Sequence, residues 1–428
     1  MHYDTIVIGA GMSGLMAAGE LAVAGQRVLL LAAGAGALPL ASACIDVLGF
    51  DGEHWVRSPE EALPDFLERY PNHPYARLGL GRLRDALRAF LSSPVGQQLG
   101  YQGSLEDNFW LPTAIGAARP TCLVPATMQA GDLRDPRPML LAGFPSLKDF
   151  YPHLAAANLV THQASGLALP SARAVMLDLP ALRDEVDLTP LQLARLFEDA
   201  QFQVQVVEAV YRELRPGERV GFPAVLGLNQ SLAVWRQLQE MLEAPVFEIP
   251  TLPPSVPGLR LFQGYEAWLR SLGVRMIIGS PIQGSEVHNS QARSVEVEAA
   301  IRTVRYRADH FVLATGGIYG HGLDTNAEGQ VWETVFNLPL HAAQGRGNWF
   351  NPDRYASQPV HSFGVVVNDA LQPVDDEGRV VLRNVRVVGA SLANWDGPGE
   401  KSGDGVTVGT GYAAAEAILS ETHGREEP

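Results

Sequence analysis

Tyr3-Asp4-Thr5-Ile6-Val7-Ile8-Gly9-Ala10-Gly11-Met12-Ser13-Gly14 opens the chain as a hydrophobic strand running into a Gly-x-Gly-x-x-Gly turn. Each glycine has a physical task. Gly9 permits the tight turn out of the strand, Gly11 lets the backbone approach a pyrophosphate, and Gly14 lets the next helix pack closely on the strand. Ala10 and Ser13 fill the turn between them, and the helix N-terminus aims its amides at the anion. A helix-like run Leu15–Ala24 follows, closed by Gly25, and a second strand Val28–Leu31 completes the unit. In such units an Asp or Glu usually ends the second strand and binds the adenosine ribose. Here Leu31 runs into Ala32-Ala33-Gly34, so the ribose clamp is missing.

Two later stretches repeat the strand-into-small-residue pattern. Phe311-Val312-Leu313-Ala314-Thr315-Gly316-Gly317 follows a hairpin-rich region, with extended runs near Ser285–His288, Val295–Glu298 and Val304–Arg307. Val385-Arg386-Val387-Val388-Gly389-Ala390-Ser391 is the third. Beyond it, Gly403-Asp404-Gly405 through Gly409 begins an Ala-rich helix. A Gly-rich helix start can set amides and the helix dipole against the pyrimidine edge of a flavin, where negative charge develops on reduction.

The 428 residues exceed a single compact core, so two domains or one domain with a large insertion are expected. Strand and helix patterns alternate between them. Helices are predicted over Pro59–Leu99, from Lys148 to Leu159, over Pro190–Leu214, over Ser231–Leu242 and over Phe262–Leu272, with strands at Met139–Phe144, Ala172–Leu177 and Arg219–Leu226. The fold class expected is α/β: a Rossmann-like flavin-binding domain with a central parallel sheet, discontinuous in sequence, plus an inserted α/β domain. The division falls at residues 1–50 and 261–428 for the flavin domain, with 51–260 inserted.

The net charge of −15 argues against nucleic acid, since no basic stripe stands out to neutralise a phosphate backbone. Two cysteines, Cys44 and Cys122, cannot supply the four thiolates of an iron–sulfur cluster, and no metal site is expected. The apolar run Val28–Ile45 contains Gly34, Gly36 and Pro39 and reads as a strand with a loop rather than a membrane span. No signal peptide is expected ahead of a first strand that starts so early.

Several stretches resemble the B subunit of anaerobic glycerol-3-phosphate dehydrogenase. They are Ala41-Ser42-Ala43-Cys44-Ile45-Asp46-Val47-Leu48, Asn72-His73-Pro74-Tyr75, Ser146-Leu147-Lys148-Asp149-Phe150 and His153–Leu159. Arg346-Gly347-Asn348-Trp349 and His361-Ser362-Phe363-Gly364 extend the likeness, and Ile249–Leu261, rich in proline, is its most specific piece. The resemblance implies a fold like that of the glutathione reductase and fumarate reductase flavoproteins. It implies oxidation of sn-glycerol 3-phosphate to dihydroxyacetone phosphate, with electrons passed to quinone. It implies two partners, a sister catalytic flavoprotein subunit and an iron–sulfur membrane-anchoring subunit. The location implied is the cytoplasmic face of the inner membrane, reached only through those partners. It implies FMN in this subunit, which fits the missing ribose acid; the intact glycine turn suits FAD equally. An autonomous flavin oxidoreductase of the fumarate reductase or amino-acid oxidase kind, and a mainly scaffolding flavin-binding subunit, stay open as alternatives.

Several side chains are candidates for chemistry on this frame. Ser42 and Asp46 lie in the loop that would pass over the isoalloxazine ring. Arg260 and Arg346 are candidates for holding a substrate phosphate through guanidinium bonds. His361 is the candidate proton donor near the flavin. His73 is assigned no chemistry.

Overall fold

The computed structural model describes residues 2–161, 169–299, 302–354 and 356–423. Five parallel strands form the body of the main sheet in the order Arg275–Ile278, Val28–Ala32, His2–Ile8, Arg302–Leu313, Val385–Val387. Ile6, Val7, Leu29, Leu30, Phe311, Val312 and Val385 are fully buried, because both faces are covered and leave no solvent side to alternate toward. The strand Arg302–Leu313 has two roles along its length. Residues 302–307 pair antiparallel with Gln291–Ala299, while its last residues pair with both the N-terminal strand and Val385–Val387. The hairpin region therefore feeds directly into the parallel sheet.

The helix Met12–Val23 lies between two others. A Cβ on Gly411 would meet the Ser13 carbonyl, so the C-terminal helix Gly403–His423 can pack at backbone distance. On its other side Gly19 accommodates the Trp268 ring of helix Val256–Ser271, where a Cβ would come within 2.7 Å.

A second core belongs to the insertion. Its four parallel strands run in the order Ala172–Met176, Met139–Gly143, Arg219–Pro223, Val246–Ile249. Phe144, Phe197 and Phe222 pack at its centre. The buried guanidinium of Arg219 donates to the carbonyls of Ala130, Asp132, Asp135 and Arg137, which fixes the loop leading to Met139.

Three expectations change. The helix expected over Pro190–Leu214 is two helices, Pro190–Leu196 and Ala200–Tyr211, because Asp199 accepts from the amides of Gln201 and Phe202 and caps a new start. The break leaves Glu198 to accept the amides of Leu228, Asn229 and Gln230. The helix expected from Lys148 begins at Pro152, after a turn in which the Leu147 amide bonds the Phe144 carbonyl. Finally, Leu63, Phe66, Leu83 and Phe90 pack in the core of the main sheet, and the inserted core begins only near Trp110. At the other end the helix Val256–Ser271 spans both, with Val256 in the inserted core and Leu261 in the first. Residues 28–45 are a strand and loop as expected, and among the described residues no helix is long and apolar enough to cross a membrane.

Candidate functional site

The first glycine turn closes against the neighbouring strand ends. Gly9 has φ +121°, donates its amide to Leu31 O at 2.7 Å, and a Cβ there would strike the Ala314 carbonyl. A Cβ on Gly14 would strike the Gly9 carbonyl. Gly11 differs: a Cβ there would meet nothing within 4 Å. It is also the N-cap of Met12–Val23 and offers no side-chain cap, and among the described residues no group bonds the first amides of that helix. Ala10 and Ser13 are buried beside it. An open Cα before uncapped amides is what a phosphate group needs, and the cradle fits that end of a flavin nucleotide.

The other end differs from a dinucleotide site. Ala32 and Ala33 end the second strand with no carboxylate, and the Ala32 carbonyl is taken by the Gly279 and Ser280 amides. The following loop comes down on the cradle, with Gly36 at φ +66° so near that a Cβ would lie 2.8 Å from Gly11 Cα.

The second and third turns converge on the first. Gly316, at φ +83°, donates its amide to Ser391 Oγ at 3.0 Å, and Thr315 Oγ1 lies 3.4 Å from the same hydroxyl. Gly389 has φ +66°, and a Cβ would come within 2.5 Å of Ser13 Oγ; its amide donates to Thr410 Oγ1 at 2.9 Å. Sequence reasoning missed Ser391 and Thr410 as the fasteners of these turns. The visible signal was a hydroxyl placed beside each glycine pattern.

The loop after the second strand meets the Gly-rich helix start. Ser42 Oγ accepts from the Cys44 amide at 3.2 Å and from Arg119 at 2.6 Å. Arg119 also forms an ion pair with the Asp46 carboxylate. The Asp46 amide donates to Asp404 Oδ2 at 3.4 Å, and the Gly405 amide donates back to the Asp46 carbonyl at 2.8 Å. Burial, then the Asp46 charge, raises the Asp404 carboxyl to about 7, against the opposing pull of Arg119 and Lys401. Burial pushes the Cys44 thiol up to about 11, so it is no thiolate nucleophile.

The glycines of that helix divide. Gly403 faces open space. Gly405 has its amide occupied by Asp46 and its Cα against the Tyr75 hydroxyl, while Gly409 sits 2.6 Å, at Cβ distance, from Leu78 Cδ1. Gly405 and Gly409 are thus packing positions, a correction to their expected place against the cofactor. Arg119 was not found in the sequence at all.

His361 and the two arginines part company as well. His361 Nδ1 lies 2.7 Å from Asp396 Oδ1, on a segment whose Ser362 carbonyl accepts the Asn394 amide, close to the Gly389 turn. Arg346 is exposed and stacks over Trp349 at 5.8 Å, beside a small core of Leu323, Val360 and Phe363. Arg260 is buried: its fork is closed by both oxygens of Glu248 at 2.7 and 2.9 Å, and Nε donates to Gly227 O. Buried and with its charge met by Glu248, it is not presented to a phosphate, which corrects the expectation for Arg260. His73 is structural, its Nδ1 accepting the Tyr75 amide at 3.0 Å, which leaves the proton on Nε2 facing Glu400 at 3.1 Å.

The fold and these turns define a flavin-binding protein, and the FAD binding domain family matches residues 4–406. Among relatives, a protein of Halobacterium salinarum, named as a probable B subunit of anaerobic glycerol-3-phosphate dehydrogenase, is 35% identical, covering 98% of each chain. The B subunit of the anaerobic glycerol-3-phosphate dehydrogenase of Pectobacterium carotovorum is 31% identical over 98% of this chain and 99% of its own. That of Vibrio cholerae is 28% identical over 100% and 99%. The chain belongs to the family of anaerobic glycerol-3-phosphate dehydrogenase B subunits, flavoprotein oxidoreductases whose name marks one part of a multi-subunit enzyme.

Proposed function

We propose that this chain is the flavin-bearing subunit of a quinone-linked glycerol-3-phosphate dehydrogenase, receiving electrons from a sister catalytic flavoprotein subunit and delivering them to an iron–sulfur subunit at the membrane. The observation that carries this reading is the convergence of three glycine turns on one open cradle at Gly11, in a chain with two buried thiols and therefore no cluster ligands. The cofactor supplies, when bound, the coupling of two-electron to one-electron transfer.

The chain's own residues have distinct tasks in this scheme. The Met12, Ser13 and Gly14 amides would hold the phosphate, and Gly316 and Gly389, fastened to Ser391 and Thr410, would line the turns beside the flavin. Ser42 and Asp46, fastened by Arg119, would hold the loop near it. Gly403, with open space at its Cα, and Asp404 would face the flavin from the helix start. His361 would exchange a proton at Nε2, and Arg346 stands outside the relay, as the one remaining candidate of the two arginines for a substrate phosphate were this chain to meet substrate itself.

FMN is the form favoured, on the ground that no carboxylate ends the second strand at Ala32–Ala33. Mass spectrometry of the cofactor released from the purified chain tests this, with FMN expected and FAD overturning it. For the relay, glycerol 3-phosphate added to the assembled complex should bleach this chain's flavin. Turnover by the isolated chain at the complex's rate would instead make it an autonomous oxidoreductase.

A further inference from the structure

The Asp396 carboxylate is bonded on both oxygens in a way that constrains one imidazole. Oδ1 faces His361 Nδ1 at 2.7 Å and also accepts the Gly399 amide at 3.1 Å; Oδ2 accepts the Ser357 hydroxyl at 2.7 Å. The Asp396 backbone amide is itself tied to Glu400 Oε1 at 3.0 Å. The His361 and Asp396 side chains are 17% and 14% exposed, so solvent does little to loosen the pair. A carboxylate accepting the Gly399 amide and the Ser357 hydroxyl is an acceptor, and the ring nitrogen facing it must donate. Among the described residues no group bonds His361 Nε2. The nearest aromatic neighbour is Tyr319, with ring centroids 6.1 Å apart.

We propose that Asp396 is the positioning residue of His361: it holds the proton on Nδ1, with Ser357 as its outer support, and leaves Nε2 as the ring atom that gives and takes a proton. This deepens the role given to His361 above and rests on it for its functional meaning. The titratable groups around the ring are Asp396, Tyr319 and, through the Asp396 amide, Glu400. The proton exchanged at Nε2 returns to solvent or ligand, and Asp396 stays ionised throughout, as an orienting carboxylate does.

Nitrogen-15 NMR of the histidine-labelled full chain tests the arrangement without turnover. In the unaltered protein His361 should be the Nδ1–H tautomer when neutral. Asp396→Asn, whose side-chain amide can donate as well as accept, should weaken the Nδ1–H preference and let the Nε2–H tautomer appear. Asp396→Glu should restore part of that preference, and Ser357→Ala should disturb it less. An Nε2–H tautomer in the unaltered protein, or an unchanged tautomer ratio in Asp396→Asn, overturns the proposal. His361→Gln in the complex judges the other reading separately: unchanged turnover removes the proton-donor role while the tautomer result still decides the positioning of the ring.

Discussion

Arg119 and Asp46 pair across two hydrophobic cores. The guanidinium follows Ala118, which packs in the inserted core, and the carboxylate sits between Ile45 and Val47 of the main one. The ion pair therefore ties the loop after the second strand to the inserted unit.

Removing the cation should be costly. Asp46 is 4% exposed, so Arg119→Met strands a buried charge, and about 3–5 kcal/mol of stability should be lost. Adding Asp46→Asn should return most of it, since an uncharged pair has far less desolvation to offset. Denaturant midpoints of the flavin-free proteins measure this, and equal destabilisation by the single and double variants would refute the account.

The cradle glycines should separate folding from binding. Gly14→Ala drives a methyl into the Gly9 carbonyl and should lower the melting temperature even without cofactor. Gly11→Ala has room for its methyl in the protein and should melt within a degree or two of the unaltered chain. It should nevertheless lose flavin at least tenfold, because the methyl occupies the phosphate's approach. Undiminished flavin affinity in Gly11→Ala would place the phosphate elsewhere.

Asp404 makes stability depend on pH in a definite direction. Its folded carboxyl keeps a proton to about 7, whereas the unfolded one releases it near 3.9. Between those values the folded state binds more protons, so its contribution is complete below about pH 4 and is lost as pH rises toward and through 7. Asp404→Asn should flatten that decline and be more stable than the unaltered chain at pH 8, by on the order of 2 kcal/mol. Unfolding curves from pH 4 to 8 on the flavin-free chain read this out, and parallel pH profiles would contradict it.

The two arginines should fail in opposite ways. Arg260→Ala leaves Glu248 buried without its partner and should cost about 3–5 kcal/mol of stability. Arg346→Ala, on the surface, should melt within about 0.5 kcal/mol of the parent. If it meets the substrate phosphate, KM for glycerol 3-phosphate in the complex should rise at least tenfold. A rise of that size with Arg260→Lys in a fully folded complex would reverse the assignment.

The glycine turns were legible because their constraint is local: a tight strand end admits few residues, and Gly9, Gly316 and Gly389 announce it in three neighbouring letters. The Arg119–Asp46 pair was not, since its members lie far apart in the chain and belong to different cores. Arg260 was misread for a related reason, although a trace existed. Glu248 stands alone in the buried strand Val246–Ile249, and an acid there needs a cation from somewhere. The break at Asp199 was hidden because apolar periodicity continues on both sides of it; only the capping chemistry of Asp199 marks the interruption. Gly405 and Gly409 show the limit of motif reading, because a glycine needed for close helix packing and one needed for a ligand are written with the same letter.

The placement of the N-terminal strand also bears on how the chain is made. His2–Ile8 lies between Val28–Ala32 and residues 307–313, so one side can close almost at once and the other must wait for about 300 further residues. At ribosomal speeds of about 5–20 residues per second, that interval is on the order of 15–60 s. The inserted unit, whose last strand ends at Ile249 and which has its own core, emerges within it. Throughout this time one edge of the first strand is an open hydrogen-bonding template, so the order of synthesis makes this segment the nascent chain's principal liability to mispairing. The glycine turn at Gly9 thus acquires its second wall, the end of strand Arg302–Leu313, only after about 300 further residues have been made.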